Sequence, residues 1–204
     1  MSSMRRWFTL IEILLAIFVF SVGILAVLSL LTQNLRTMHG ADVHRSAAFL
    51  AQESLSLLSH IRDSNVAYGI GRDCIPDVNI FYAQTQDVAE SDVCDYRLSD
   101  LIADDKILLL WATTGSAIDI RVMDASEDFD TLFADVRLRT LSGSDILQYS
   151  NGEASVFARY LSITGATLSG QTIPWNILLK INSVVLFRQG DKTGQVVLET
   201  LLGN

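Results

Sequence analysis

The hydrophobic pattern of the chain is dominated near its start by an apolar run from Phe8 to Leu31. Its one charged residue is Glu12, and the stretch from Ile13 to Leu31 carries no ionisable side chain. A helix rises about 1.5 Å per residue, so this stretch is long enough to cross the hydrocarbon core of a bilayer. The pattern therefore predicts a membrane-spanning helix at residues 8–31.

A second helical pattern follows directly, through residues 32–62. Apolar residues recur there at steps of three or four, namely Ala47, Ala51, Leu55, Leu58 and Ile61. Such spacing places them on one face of a helix. We expect one continuous stem helix from Phe8 to about Arg62, whose second, amphipathic half buries this face under a folded domain.

The segment at residues 63–105 has a different character. Gly69, Gly71 and Pro76, together with many Asp residues, interrupt the helical period and predict a loop-rich connection. Within it, a short helix is expected at Ser99–Asp104.

Alternating apolar and polar residues from residue 106 onwards predict an antiparallel sheet. Residues 106–114 and 117–123 flank Gly115-Ser116, an arrangement typical of a hairpin. Further strands are expected at residues 132–141, 155–164, 176–188 and 195–202. In the strand at 176–188, one face carries Ile177, Leu179, Ile181, Val185 and Phe187. The prediction is an α+β fold, in which the long N-terminal helix packs on the apolar face of a C-terminal antiparallel sheet at 106–204.

Charge and cysteine content indicate where this domain lies. Arg5 and Arg6 precede the apolar run, whereas acidic residues predominate after it, which favours an N-terminus inside the cell and a domain outside. A net charge of −8 and the lack of a basic patch beyond the first residues argue against a nucleic-acid partner. In an oxidising compartment, the pair Cys74 and Cys94 is typical of a disulfide, with two buried free thiols as the alternative.

The sequence offers little catalytic chemistry. It contains no His-Glu-x-x-His, Gly-x-Ser-x-Gly or phosphate-loop motif. His39, His44 and His60 all fall on the predicted stem, where solvated helix positions account for them. We therefore predict neither an enzyme nor a cofactor.

Clustered acidic residues raise the question of a calcium site. Asp124, Glu127, Asp128 and Asp130 lie close together in the sequence, and oxygen-rich loops of this kind can hold Ca²⁺ outside the cell. Their spacing does not match an EF-hand, and a solvated acidic turn is the commoner arrangement. No metal is predicted, and these four residues stay the calcium candidate; Asp73, Asp77 and Asn79 are a weaker one.

The N-terminal segment resembles that of type IV prepilins and pseudopilins. The resemblance is carried by Arg5-Arg6, by the Phe-Thr-Leu-Ile-Glu segment from Phe8 to Glu12, and by the apolar run that follows. Ala16, Ser21 and Gly23 within that run, and the lack of a proline in the stem, are similar to the minor pilins and I-type pseudopilins. The family's architecture is also a helical stem packed on an antiparallel sheet.

The resemblance implies a processing step and an assembly step. Residues 1–7 would be a basic leader, removed by a prepilin peptidase between Trp7 and Phe8. The new amine of Phe8 would then pair with Glu12 of a neighbouring subunit as the protein leaves the inner membrane for a filament. The implied partners are other pilin subunits through the N-terminal helix, the inner-membrane assembly machinery, and lipid before assembly.

Trp7 departs from the family pattern, which usually has Gly before the cleavage point. If the leader is retained, no free amine forms beside Glu12, and the chain is an unprocessed, signal-anchored extracytoplasmic binding module. An anchored enzyme is a third alternative.

Overall fold

A computed structural model of the chain describes residues 10–67, 69–76, 94–103, 106–112, 118–140, 147–149, 152–174 and 177–203. The chain divides into two compact units, of which the first ends at Val43 and the second begins at His44. The secondary structure combines a long N-terminal helix with a C-terminal antiparallel sheet, as predicted for an α+β fold.

The long helix, α1, covers Leu10–Ala67 and so ends five residues later than the sequence pattern suggests. In the second unit its buried residues are Ala47, Ala51, Ser54, Leu58, Ile61 and Asn65. Alternating steps of four and three keep them on one helix face. Four of the five predicted apolar positions are buried, and Leu55 is half-buried against the same core. The predicted stripe is therefore confirmed, and it also contains two polar residues.

The connection after α1 contains more regular structure than expected. Strand β1, Cys74–Pro76, pairs antiparallel with β2, Cys94–Arg97. The short helix α2 covers Leu98–Ala103, which confirms the expected helix with its start one residue earlier.

The main sheet, within the described residues, has seven antiparallel strands. Its members are β3 Lys106–Ala112, β4 Ile118–Asp124, β5 Arg137–Thr140, β6 Leu147–Gln148, β7 Glu153–Gly165, β10 Leu178–Gln189 and β11 Lys192–Gly203. The order across the sheet is β11-β10-β7-β3-β4, while β5 pairs with β7 and with β6. The strands β8 Thr167–Leu168 and β9 Gln171–Thr172 form a separate small pair.

The expected hairpin is present, and a second hairpin joins β10 to β11. Strands β3 and β4 pair from Lys106↔Asp124 to Ala112↔Ile118, and the predicted Gly115-Ser116 turn lies outside the described residues. Strands β10 and β11 pair without interruption up to Gln189↔Lys192. Gly190, at φ +60°, is the first central residue of their two-residue turn, a position where a type II′ turn favours glycine.

The predicted strand at 132–141 is wrong over its first half. Residues Phe129–Asp135 form a helix, α3, and only Arg137–Thr140 is a strand. The Asp128 carboxylate caps this helix, accepting hydrogen bonds from the Thr131 backbone N–H and hydroxyl, both at 2.8 Å. The residues that α3 and its C-terminal cap contribute to the core are Phe129, Leu132, Phe133 and Val136, which repeat at helical spacing.

Two apolar clusters cover opposite faces of the sheet. The first joins α1 to the sheet through Leu58, Ile61, Leu108, Leu161 and Ile181, among others. The second places α3 on the other face, against Ile107, Leu109, Ala158, Val184 and Leu186. A sheet covered on both faces explains why β10 is buried at consecutive positions and not only at alternate ones.

One predicted core residue is wrong. Ile177 precedes β10 and is 57% exposed. Its backbone N–H and that of Leu178 both donate to the Pro174 carbonyl, so a turn directs Ile177 away from the sheet. The other four predicted residues of that face, Leu179, Ile181, Val185 and Phe187, are buried.

Candidate assembly site

The first part of α1 presents an apolar surface that no described residue of its unit covers. Every side chain from Leu10 to His39 is exposed, and the large apolar ones from Leu10 to Leu31 are between 44% and 77% exposed. Of the described residues, those of α1 alone form a helix long and apolar enough to cross a membrane. An exposed apolar surface of this size requires lipid or another helix to cover it.

Polar side chains in this part of α1 bond to their own helix. The Ser21 hydroxyl donates to the Ile17 carbonyl at 2.8 Å, and the Thr32 hydroxyl donates to the Ser29 carbonyl at 2.8 Å. Because both hydroxyls are satisfied locally, they do not need water or a partner chain, which suits a helix in lipid.

Glu12 lies in the first turn of α1 and is exposed. A carboxylate there interacts favourably with the positive end of the helix dipole. It has no ion-pair partner among the residues that the structure describes. Trp7 and Phe8, the two other residues that the resemblance implicates, lie outside the described residues. The acid is thus available to a group that the described helix does not contain.

A shallow groove lies on the same helix surface, centred on Gly23. It has a volume of about 520 Å³ and is lined by Val19, Phe20, Gly23, Ile24, Val27 and Leu28. A Cβ atom at Gly23 would meet nothing within 4 Å. Small residues allow close approach between helices in a membrane, so the groove can accept a side chain of a neighbouring helix.

The expected disulfide between Cys74 and Cys94 is present, with the two Cα atoms 5.3 Å apart. It joins β1 to β2. The buried Asn65 side chain fixes the end of α1 to the same region, because its Nδ2 donates to the Cys74 carbonyl at 2.7 Å and to the Gly71 carbonyl at 3.3 Å.

Two of the four calcium candidates, Asp128 and Asp130, have protein partners in the described structure. The Asp128 carboxylate accepts hydrogen bonds from the Thr131 backbone N–H and hydroxyl, and these bonds hold the pKa of the carboxyl below its usual value. Asp130 pairs with Arg188. The described residues contain no group of three or more His, Cys, Asp or Glu side chains placed to hold a metal ion.

The other acidic and histidine candidates are placed as follows. Asp73 accepts hydrogen bonds from Arg97, while Asp77 and Asn79 lie outside the described residues. His39, His44 and His60 are exposed on α1, and the His44 ring meets Phe187 edge-on, with centroids 4.8 Å apart.

Sequence reasoning missed a buried arginine. Arg159, on β7, is 1% exposed. Its Nη1 donates to the Leu50 carbonyl at 3.0 Å and to the Glu53 carboxylate at 2.8 Å, both on α1. Its Nη2 donates to the Leu110 carbonyl on β3 at 2.7 Å. One guanidinium therefore joins the helix to two strands.

Tyr149 completes this network. Its hydroxyl donates to the Arg159 carbonyl at 2.6 Å and lies 3.5 Å from the Arg159 Nε. Burial raises the pKa of Tyr149.

The sequence did contain a signal for the burial of Arg159. Residue 159 shares the alternation of Leu161 and Ile163 on the core face of a predicted strand.

A pH prediction follows from Tyr149. Its pKa in the folded state is raised above the unfolded value of about 10, so its stabilising contribution is present below that pH and is lost as the pH rises above it. We expect the free energy of unfolding to fall above pH 10, and to fall less steeply in the Tyr149→Phe variant. Urea titrations across this range measure the difference. Burial also raises the pKa of Tyr160, which is less enclosed, so Tyr160→Phe is the matched control; equal slopes for Tyr149→Phe and the unmodified protein would contradict the prediction.

Comparison of the chain with protein-family models, with curated proteins and with solved structures finds no match. The resemblance to pilins therefore stays a prediction from the N-terminal residues.

Proposed function

We propose that the chain is a structural subunit, of the minor pilin or pseudopilin kind, of a type IV pilus-like or type II secretion-like filament. In this proposal it is inserted in the inner membrane with its N-terminus inside, and then assembles through α1 into a filament outside that membrane. The observation that carries the proposal is the apolar surface of α1 from Leu10 to Leu31, which the described residues of its unit leave exposed, with Glu12 in its first turn.

The apolar surface supports two successive environments. In the membrane, lipid covers the side chains that are exposed in the isolated chain, and the locally bonded hydroxyls of Ser21 and Thr32 add little cost. In a filament, the stems of neighbouring subunits cover the same side chains, and the groove at Gly23 receives one of theirs. A subunit that moves from lipid to a filament needs one surface that suits both environments. The surface between Ile13 and Leu31 has no charged residue and meets this need.

Glu12 supplies the directional part of assembly in this proposal. The apolar contacts between stems are non-directional and fit many axial offsets. A carboxylate keeps its charge in an apolar environment only where a cation meets it, and the amine of a processed Phe8 on a neighbour would supply that cation. Loss of one partner from a buried ion pair typically costs about 3–5 kcal/mol. This pair would therefore select one axial register.

We expect Glu12→Ala to reduce incorporation into filaments by at least about a hundredfold. A loss of about 3 kcal/mol or more from the ion pair corresponds to this factor, since about 1.4 kcal/mol is a tenfold change. Glu12→Gln, which keeps the shape and removes the charge, should behave in the same way, whereas Glu12→Asp should retain part of the incorporation. The measurement compares the amount of subunit in sheared filaments with the amount in membranes. Thr32→Ala is the control, because its hydroxyl bonds only within its own helix. Unchanged incorporation of Glu12→Ala would remove the proposed role of this residue.

Trp7 supports the alternative, an unprocessed signal-anchored binding module. The peptidase usually meets Gly next to the cleavage position. It therefore accommodates the bulky indole of Trp7 less well. The mass of the membrane-extracted protein distinguishes the two proposals. Loss of residues 1–7 supports the filament subunit, and a chain that begins at Met1 supports the anchored module.

A further inference from the structure

Two long edge strands of the main sheet have no strand on their outer side within the described residues. Strand β11 forms one edge and β4 forms the other, and no strand of the described residues pairs with the outer side of either. Along β11, the register with β10 runs from Leu178↔Gly203 to Gln189↔Lys192 without a bulge, and the strand contains no proline. Proteins usually protect a long edge strand with a bulge, a proline or a covering element, because its free N–H and C=O groups pair readily with another chain. On β11 these protections are missing from the described structure.

The directions of the two edge strands are related by the sheet itself. Four antiparallel steps lead from β11 through β10, β7 and β3 to β4, so β4 and β11 run in the same direction. A second copy placed beside the first, in the same orientation, brings its β11 against β4 as a parallel neighbour. The face that carries α1 then lies on the same side in both copies.

We propose that β4 of one copy pairs with β11 of the next copy, so that the main sheet continues from subunit to subunit. The proposal commits to a second copy of this chain because the two edges of the same molecule are complementary to each other. It is carried by the second unit alone, and it adds a lateral contact to the proposed filament.

Charge selects the register of this pairing. On the face away from α1, β4 presents Arg121 and Met123, and β11 presents Glu199 and Leu201. Arg121 is exposed and has no ion-pair partner in the part of the chain that the structure describes. The offset that places Arg121 opposite Glu199 also places Met123 opposite Leu201, which is 60% exposed. Opposite charges and apolar pairs across strands both stabilise a sheet.

The same offset is compatible with the other face. Ile120 and Val122 of β4 then lie opposite Leu198 and Thr200 of β11, and all four are half-buried. On β11, Glu199 already pairs with Lys180 of β10 at 2.7 Å and is 57% exposed, so its carboxylate can accept a second cation. No like charges face each other in this register.

The pairing is heterologous, because two different surfaces of one subunit meet. Contacts of this type do not close unless the rotation between subunits is suitable, and they otherwise produce an open array. Copies of a chain with a net charge of −8 generally repel one another. Arg121, which has no ion-pair partner among the described residues, is a cation that can attract Glu199 of the next copy despite this repulsion.

Cysteine cross-linking of the full-length protein in membranes tests the pairing. The test variant carries Arg121→Cys together with Glu199→Cys. Facing residues on neighbouring strands lie about 5 Å apart, within the range that a disulfide requires. Inside one molecule, four strand spacings of about 4.8 Å separate the two positions, so only copies can be linked. After an added oxidant, we expect a ladder of dimers, trimers and longer species on a non-reducing gel.

The matched control carries Arg121→Cys together with Leu198→Cys, which point to opposite faces of the proposed sheet. We expect at least about tenfold less product from it. Equal ladders from both pairs, or no ladder from the test pair, would overturn the proposal. A second experiment, which reverses charges, covers the case in which the introduced cysteines disturb the fold. Arg121→Glu should reduce association of the detergent-solubilised full chain about tenfold or more, and adding Glu199→Arg should restore it; a double variant that associates no better than Arg121→Glu would also overturn the proposal.

The two proposals fail separately. A ladder that persists in the Glu12→Ala background supports the edge pairing whatever happens to filament incorporation. Glu12-dependent incorporation without any ladder leaves the filament function in place and removes the edge pairing.

Discussion

Arg159→Met should lower the free energy of unfolding by about 3–5 kcal/mol, because it removes the central cation of a buried polar network. Methionine fills much of the same space but donates no hydrogen bonds. The carbonyls of Leu50 and Leu110 each lose the hydrogen bond that they receive from the guanidinium, and a hydrogen bond to a charged group contributes about 1.5–3 kcal/mol. Urea unfolding of the detergent-solubilised chain, followed by tryptophan fluorescence, measures the change.

Two comparison variants define what the Arg159 result means. Arg139→Met removes an exposed arginine that donates to the Gly152 carbonyl at 3.3 Å, and the free energy of unfolding should change by no more than about 0.5 kcal/mol. Glu53→Gln removes only the carboxylate charge of the network. Since Glu53 is 47% exposed on its side chain, we expect an effect of about 1 kcal/mol. If Arg159→Met costs no more than Glu53→Gln, the carbonyl contacts do not stabilise the fold as described.

Removing the Cys74–Cys94 disulfide should cost about 3 kcal/mol, since the bridge closes a loop of about 20 residues in the unfolded chain. The double variant Cys74→Ala with Cys94→Ala is the correct test because a single change leaves a reactive thiol. Thermal and urea unfolding with and without a reductant provide the measurement. The reductant should destabilise the unmodified protein and leave the double variant unchanged. A reductant-insensitive unmodified protein would show that the bridge contributes nothing.

The larger features of the fold could be predicted from local patterns. The apolar run and the three- and four-residue spacing from Ala47 to Ile61 define α1, and alternation with turn residues defines the β3–β4 and β10–β11 hairpins. These features depend on neighbours in the sequence. Residues Leu132–Leu141 show where such reasoning fails. Their short pattern fits a strand as well as a helix. The helix is favoured by the Asp128 cap and by the packing of Leu132 and Phe133 on the second face of the sheet.

The sites divide in the same way. Glu12 stands out because a carboxylate in an apolar run is conspicuous in the sequence alone. Arg159 is different, because its partner Glu53 is 106 residues away and its carbonyl partners leave no trace in residue type. Alternation along β7 could identify Arg159 as an inward-facing charge, but only the tertiary structure shows what neutralises it.

The contact between Arg159 and Leu50 spans 109 positions of the chain, and this separation has a kinetic consequence. Hairpins and helices form by closing short loops, whereas a contact of this span must first overcome the entropy of a long one. The chain is synthesised from its N-terminus, so α1 is made before β7. The apolar stripe of α1 therefore stays uncovered until β7 has been synthesised. We therefore expect the docking of the helix on the sheet to be the slowest step of folding.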